Sequence, residues 1–158
     1  MAHPAREGTG SAELRDLAEL LGGERVLRRP LRTRLDAHEL LMEGLPGKAL
    51  AHLVGSLGRI HKDVAFERAV GMSLRTFQRR QEAPSKPLNQ EQSGRTWKFA
   101  EILARATAAL GSRDEAERWL ERPALGLDGR RPIDLLATPA GVEIVEDLMT
   151  RLEYGVYT

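Results

Sequence analysis

Apolar side chains along this chain recur at helical spacing almost throughout, and no stretch alternates in the way a half-buried strand does. Leu14, Leu17, Ala18 and Leu21 fall at i, i+3, i+4 and i+7, one face of a helix with Ser11 as its expected N-cap and Gly22-Gly23 as its stop. An arginine-rich stretch, residues 24–34, follows and is broken by Pro30. The spacing then predicts a short helix over 35–42, ended by Gly44, and another over 48–57 carrying Leu50, Leu53, Val54 and Leu57. Helices are expected over 61–70, stopped by Gly71, and over 74–81, capped by Ser73. Residues 83–94 are polar and hold Pro84, Pro87 and Asn89, the composition of a loop. Helices over 95–110, 113–121 and 132–136 follow. In the last helix Thr138 is the cap, Pro139 takes the first position, and Val142, Val145, Leu148, Met149 and Leu152 form the buried stripe. The expected fold class is all-α.

With 158 residues, the chain is one domain, or two small ones sharing a core. It has no cysteine, which excludes disulfides, thiol nucleophiles and cysteine-based metal sites and suits a reducing compartment. No apolar run is long enough to span a membrane, and the first residues lack the pattern of a secretory signal. The expectation is a cytoplasmic protein.

The formal net charge of +1 conceals an uneven distribution. Between residues 59 and 82, Arg59, Lys62, Arg68, Arg75, Arg79 and Arg80 outnumber Asp63, Glu67 and Glu82. From 114 onward ten acids face five arginines. The middle can therefore attract an anion such as DNA, and the C-terminal third suits a basic partner.

Catalytic constellations are missing. His38-Glu39 opens like a zinc-protease motif, but position 42 is Met where the second His must stand. Nothing supplies a nucleophile with a base at motif spacing, so neither an enzyme nor a bound cofactor is expected. Helix-turn-helix geometry is better supported: residues 61–70, a turn with Gly71, then a helix capped by Ser73 and anchored by Met72 and Phe77. Arg75, Thr76, Gln78, Arg79 and Arg80 lie on or near its outer face, where they can reach base edges and phosphates. Four positions before the turn glycine, where the two helices touch and a small residue is usual, stands Glu67. The final segment ends in Tyr154, Gly155, Val156, Tyr157 and Thr158. Aromatic residues beyond a helix, with a glycine hinge between them, are suited to filling a partner's pocket.

The pieces that carry a resemblance are Gly44-Leu45-Pro46, the run Val70 to Arg80, Ala116-Glu117-Arg118-Trp119-Leu120 with Pro123, Leu127 to Leu136, Thr138-Pro139-Ala140-Gly141, and Arg151 to Tyr157. On these the chain, over residues 35–158, resembles the Xre/MbcA/ParS group of antitoxins, which pair with RES-domain toxins. The resemblance implies three parts: an N-terminal helical extension (1–34), an Xre-like helix-turn-helix and dimerisation region (35–110), and a C-terminal toxin-binding domain (111–158). It further implies a homodimer holding two toxin molecules, and a toxin that degrades NAD or ADP-ribosylates a protein. The C-terminal segment would block that toxin's NAD site, with Arg151 and Glu153 as polar contacts and Tyr154, Val156 and Tyr157 filling the cleft beside Gly155 and Thr158. Some members also repress their own operon, so operator DNA is a further expected partner. Val26, Leu27, Leu31 and the helices of 35–57 are candidates for the dimer contact. The alternative is a stand-alone helix-turn-helix transcriptional regulator.

Overall fold

The computed structural model describes residues 4–83 and 85–155. Nine α-helices, one of them continuing into a π-helical stretch, and two 3₁₀ turns make up its regular structure among the described residues. They are α1 (Pro4–Leu20), α2 (Gly23–Leu27), α3 (Arg34–Glu43), α4 (Gly47–Gly55), α5 (Lys62–Val64, running on as a π-helix over Ala65–Val70), α6 (Leu74–Arg80), α7 (Gln90–Leu110), α8 (Arg113–Glu121) and α9 (Pro139–Glu153). The 3₁₀ turns, Leu125–Leu127 and Pro132–Ala137, lie between α8 and α9. No strand forms among the described residues, and none of the helices there is long and apolar enough to cross a membrane.

The long helix α7 is the axis of the molecule. Phe99, Ala100, Ile102, Leu103 and Ala106 are fully or almost fully buried along it. Elements from both ends of the chain pack on it: α1 and α3, the π-helical stretch, then α8 and α9. One continuous core results, running from Leu17 and Leu21 through Leu50, Leu53 and Phe66 to Ile133, Val145 and Met149.

Two expected boundaries move. Ser11 is not a cap, because α1 runs through it from Pro4; proline's fixed φ suits the first turn of a helix, so the start lies upstream of the apolar stripe. The loop expected over 83–94 is shorter, since α7 begins at Gln90. Asn89, read as a loop residue, is the cap: its side chain accepts from the Gln92 N–H at 2.7 Å and the Gln92 side chain accepts from the Asn89 N–H at 3.3 Å, a reciprocal capping box. Within this polar first turn Ser93 alone is buried, and its hydroxyl is satisfied. Ser93 Oγ accepts from the Leu45 N–H at 2.9 Å and donates to the Leu88 carbonyl at 3.3 Å.

The region between α8 and α9 is folded by turn chemistry. Asp128 and Gly129 both take positive φ (54° and 78°), and Ala124 pairs with Arg130 across the turn. Thr138 Oγ1 then accepts from the Gly141 N–H at 3.0 Å and opens α9. A Cβ on Gly141 would overlap the Leu135 carbonyl oxygen, so only glycine lets α9 approach the preceding turn this closely. Gly141→Ala is expected to lower stability by about 2–3 kcal/mol through overpacking against backbone that cannot yield, measurable by denaturant titration.

Candidate functional site

Two surfaces stand out, one on each half of the core. The first is the helix-turn-helix. Gly71 takes a left-handed conformation (φ 75°) that closes the π-helical stretch. Arg95 of α7 lies beneath it, its Nε donating to the Ala69 carbonyl at 3.0 Å and its Nη2 to that of Arg68 at 2.8 Å, which neutralises the carbonyl end of the first helix. Ser73 Oγ accepts from the Thr76 N–H at 3.1 Å and starts α6. Met72 and Phe77 are buried as anchors, and the Phe66 and Phe77 rings meet at 4.3 Å between centroids. Glu67 does not lie between the helices: it is exposed, and Ala65, Phe66, Ala69 and Val70 face inward. The wider winding of the π-helical stretch (Ala65–Val70) rotates that position outward, so the acid raises no conflict with the fold.

On α6 the side chains of Arg75, Thr76, Gln78 and Arg79 are exposed. Thr76 Oγ1 also lies 2.9 Å from Ser73 Oγ. Arg80 is half-buried and turns back, its Nη1 donating to the Pro87 carbonyl at 3.4 Å. Arg75 and Arg79 pair with no carboxylate among the described residues.

The second surface is the C-terminal end of α9. Ile144, Asp147, Leu148, Arg151 and Tyr154 stand at i, i+3, i+4, i+7 and i+10, the spacing of one helical face. Gly126, Ile144, Asp147, Leu148 and Arg151 line a shallow depression. Three large apolar groups lie open around this end of the domain: Leu125 at 90% exposure, Ile144 at 49% and Tyr154 at 80%. Gly155 (φ 71°) turns the chain out of the helix. Glu153, expected as a partner contact, is tied to α7, where Arg105 grips both its oxygens at 3.0 and 3.2 Å, and its side chain keeps 37% exposure. Burial pulls the Arg105 guanidinium down, and Glu153 more than reverses this, leaving it above its ordinary value. Lys98 behaves alike: burial lowers its ammonium and Glu101 and Glu146 raise it further. These pairs fix the α9 helix on α7. The hydrogen bonds of Arg131 hold the Asp134 carboxyl below its ordinary value, and Arg68 of the first helix reaches the same carboxylate at 3.6 Å.

Val156, Tyr157 and Thr158 lie outside the described residues. Sequence reasoning missed Leu125 and Ile144. Their signal is an apolar residue out of phase with a buried stripe: Ile144 sits between Val142 and Val145, and Leu125 lies two residues before the buried Leu127. Among the candidate dimer residues, Leu27, Leu50, Leu53 and Val54 are interior and so cannot form such a contact, whereas Leu35 and Met42 are exposed.

The architecture is that of a helix-turn-helix domain followed by a small helical domain with an open apolar face. Residues 36–101 match the model of the antitoxin Xre-like helix-turn-helix domain, and residues 105–155 that of the antitoxin Xre/MbcA/ParS C-terminal toxin-binding domain. With the two in tandem, the chain belongs to the Xre/MbcA/ParS antitoxin family. Among its relatives are the antitoxin Xre of Pseudomonas putida, 34% identical over 89 residues, and that of Yersinia enterocolitica, 34% identical over 92. The antitoxin Xre of Photorhabdus laumondii is 30% identical over 90 residues. The alignments take in 56–58% of this chain, which spans 55%, 62% and 60% of those three proteins in the order named.

Proposed function

We propose that the chain is an antitoxin that neutralises a cognate RES-type toxin, one that degrades NAD or ADP-ribosylates a protein, by placing its C-terminal segment in the toxin's active-site cleft. The observation that carries this reading is the open face of Leu125, Ile144, Arg151 and Tyr154, which lies within the region matching a toxin-binding domain. A large exposed apolar patch ringed by charge marks a docking surface, and a tyrosine at its edge is a rigid anchor. Arg151, Glu153 and the residues from Tyr154 to Thr158 make the contacts; Glu153, also held by Arg105, sets the angle at which the segment leaves α9. The domains of this reading are 1–34, 35–110 and 111–158, and the active species is a cytoplasmic homodimer holding two toxins, with Leu35 and Met42 at the dimer contact. The chain itself supplies no catalytic group.

The reading is tested by looking for a RES-type reading frame beside its gene and co-expressing the two. Rescue of growth by the full chain, its loss on deletion of residues 154–158, and co-purification at two-to-two stoichiometry are the expected results. A deletion that still rescues would remove the mechanism.

A second activity rests on its own observation. α6 holds Arg75, Thr76, Gln78 and Arg79 exposed on a fixed helix-turn-helix, the arrangement that enters a major groove. We assign this surface to operator DNA and thus to repression of the chain's own operon.

A further inference from the structure

Neither surface accounts for the arginine-rich stretch after α1. Arg25, Arg28, Arg32 and Arg34 are exposed and pair with no carboxylate among the described residues. The three acids of α3 are already engaged, and Glu24, beside Arg25, makes no ion pair among the described residues. Glu39 and Glu43 of α3 both bind Arg29, at 3.7 and 2.7 Å. The Asp36 carboxylate accepts from the backbone N–H groups of Arg32 and Thr33 at 2.9 and 3.0 Å, which hold it below its ordinary value. In the C-terminal domain Arg118, Arg130 and Arg131 each have an acidic partner, and Arg122 and Arg151 have none among the described residues.

The stretch is also held in shape. Arg29 staples it to α3, and the Thr33–Asp36 capping box fixes its exit. Arg28 takes φ 61°, ψ 18° at the end of α2, a left-handed conformation that non-glycine residues other than Asn and Asp seldom adopt. An arginine kept where glycine would be favoured points to a use for its side chain.

Its position adds a direction. Glu43, which grips Arg29, stands two residues before Leu45, whose carbonyl accepts from the Leu88 N–H at 2.8 Å. The Lys86 carbonyl accepts from the Gly47 N–H at 3.2 Å, and Arg80 of α6 donates to the Pro87 carbonyl. The 86–88 segment thus joins the basic end of α6 to the C-terminal end of α3, where Glu43 holds Arg29, and Arg32 and Arg34 stand at the other end of that helix, roughly 13 Å along it.

We infer that Arg25, Arg28, Arg32 and Arg34 form a second contact to DNA phosphates, extending the surface of α6 along the same duplex. The inference rests on the DNA-reading assignment above. Arginines without acidic partners, presented on a fixed loop, supply sequence-independent affinity, and base edges are left to α6.

The test is fluorescence anisotropy of the full chain on a labelled fragment from upstream of its own gene, across a salt series. Losing three phosphate contacts in R28Q/R32Q/R34Q should flatten the slope of log K against log salt by about 2.7 and weaken binding on the order of a hundredfold at 0.1 M. The matching lysine variant should keep the slope, and the glutamine variant should keep its melting temperature and its co-purification with toxin. If R28Q/R32Q/R34Q binds with the wild-type slope while R75Q/R79Q loses binding, the inference fails and the DNA assignment stands. If the wild-type chain shows no salt-steep binding, both fall. Arginine-dependent binding to phosphatidylglycerol vesicles with an unchanged DNA slope would also overturn it.

Discussion

Tyr154→Ala is expected to weaken toxin binding by about 2–4 kcal/mol, roughly 30- to 1,000-fold in affinity, without shifting the melting temperature of the free chain. The side chain is 80% exposed, so it contributes little to the fold, and substitutions at such sites usually stay within about 0.5 kcal/mol. Ile144→Asp should act in the same direction for another reason. It brings a carboxylate beside Asp147 into a depression whose other lining is glycine, leucine and arginine, and an unpaired charge in a desolvated contact is costly. The joint variant should therefore fail to rescue cells from toxin and should melt as the wild type does. Titration calorimetry with an inactivated toxin, alongside thermal denaturation of the free chain, checks both halves. Wild-type affinity in the joint variant would move the binding surface elsewhere and leave only the residues after Gly155 to carry it.

Much of the fold was legible because helical periodicity and glycine stops are local signals. Gly44, Gly71 and Gly111 end helices where expected, each at positive φ, and Ser73, Ser112 and Thr138 cap the helices that follow. What escaped depends on tertiary context. Asn89 looked like loop composition because a cap and a turn use the same residue types. Glu67 looked like a clash because ordinary α-helical pitch was assumed, whereas the π-helical stretch rotates the acid outward. Leu125 and Ile144 went unnoticed because hydrophobicity does not say which apolar residues find a neighbour. The Arg105–Glu153 pair escaped because its two residues lie 48 apart in the chain.

Glu117 is the largest such omission, and its removal should have the largest effect on stability. In the sequence it is one more acid in a charged helix; in the structure it is 1% exposed. Its carboxylate accepts from three consecutive backbone N–H groups: Gly58 at 3.0 Å, Arg59 at 2.9 Å and Ile60 at 3.1 Å. Glu121, one turn on, accepts from the His61 N–H at 3.2 Å, and Arg59 meets Asp114 at 3.3 Å. The first turn of α5 has no side-chain cap of its own, so α8 supplies the acceptors that this segment lacks. A buried carboxylate is tolerated when charge-assisted bonds replace its water, and those same bonds tie the helix-turn-helix to the C-terminal domain. Glu117→Ala leaves three N–H groups without acceptors and a void beside them. The expected loss is about 3–5 kcal/mol, or roughly 6–20 °C in melting temperature for a chain of this length. Glu117→Gln keeps the shape but turns an N–H₂ group toward backbone donors, and should fall between the two. Denaturant and thermal unfolding measure the loss. If Glu117→Ala unfolds at the wild-type midpoint, this carboxylate does not hold the two domains together. If it unfolds in two separate transitions, this carboxylate is what makes them one cooperative unit.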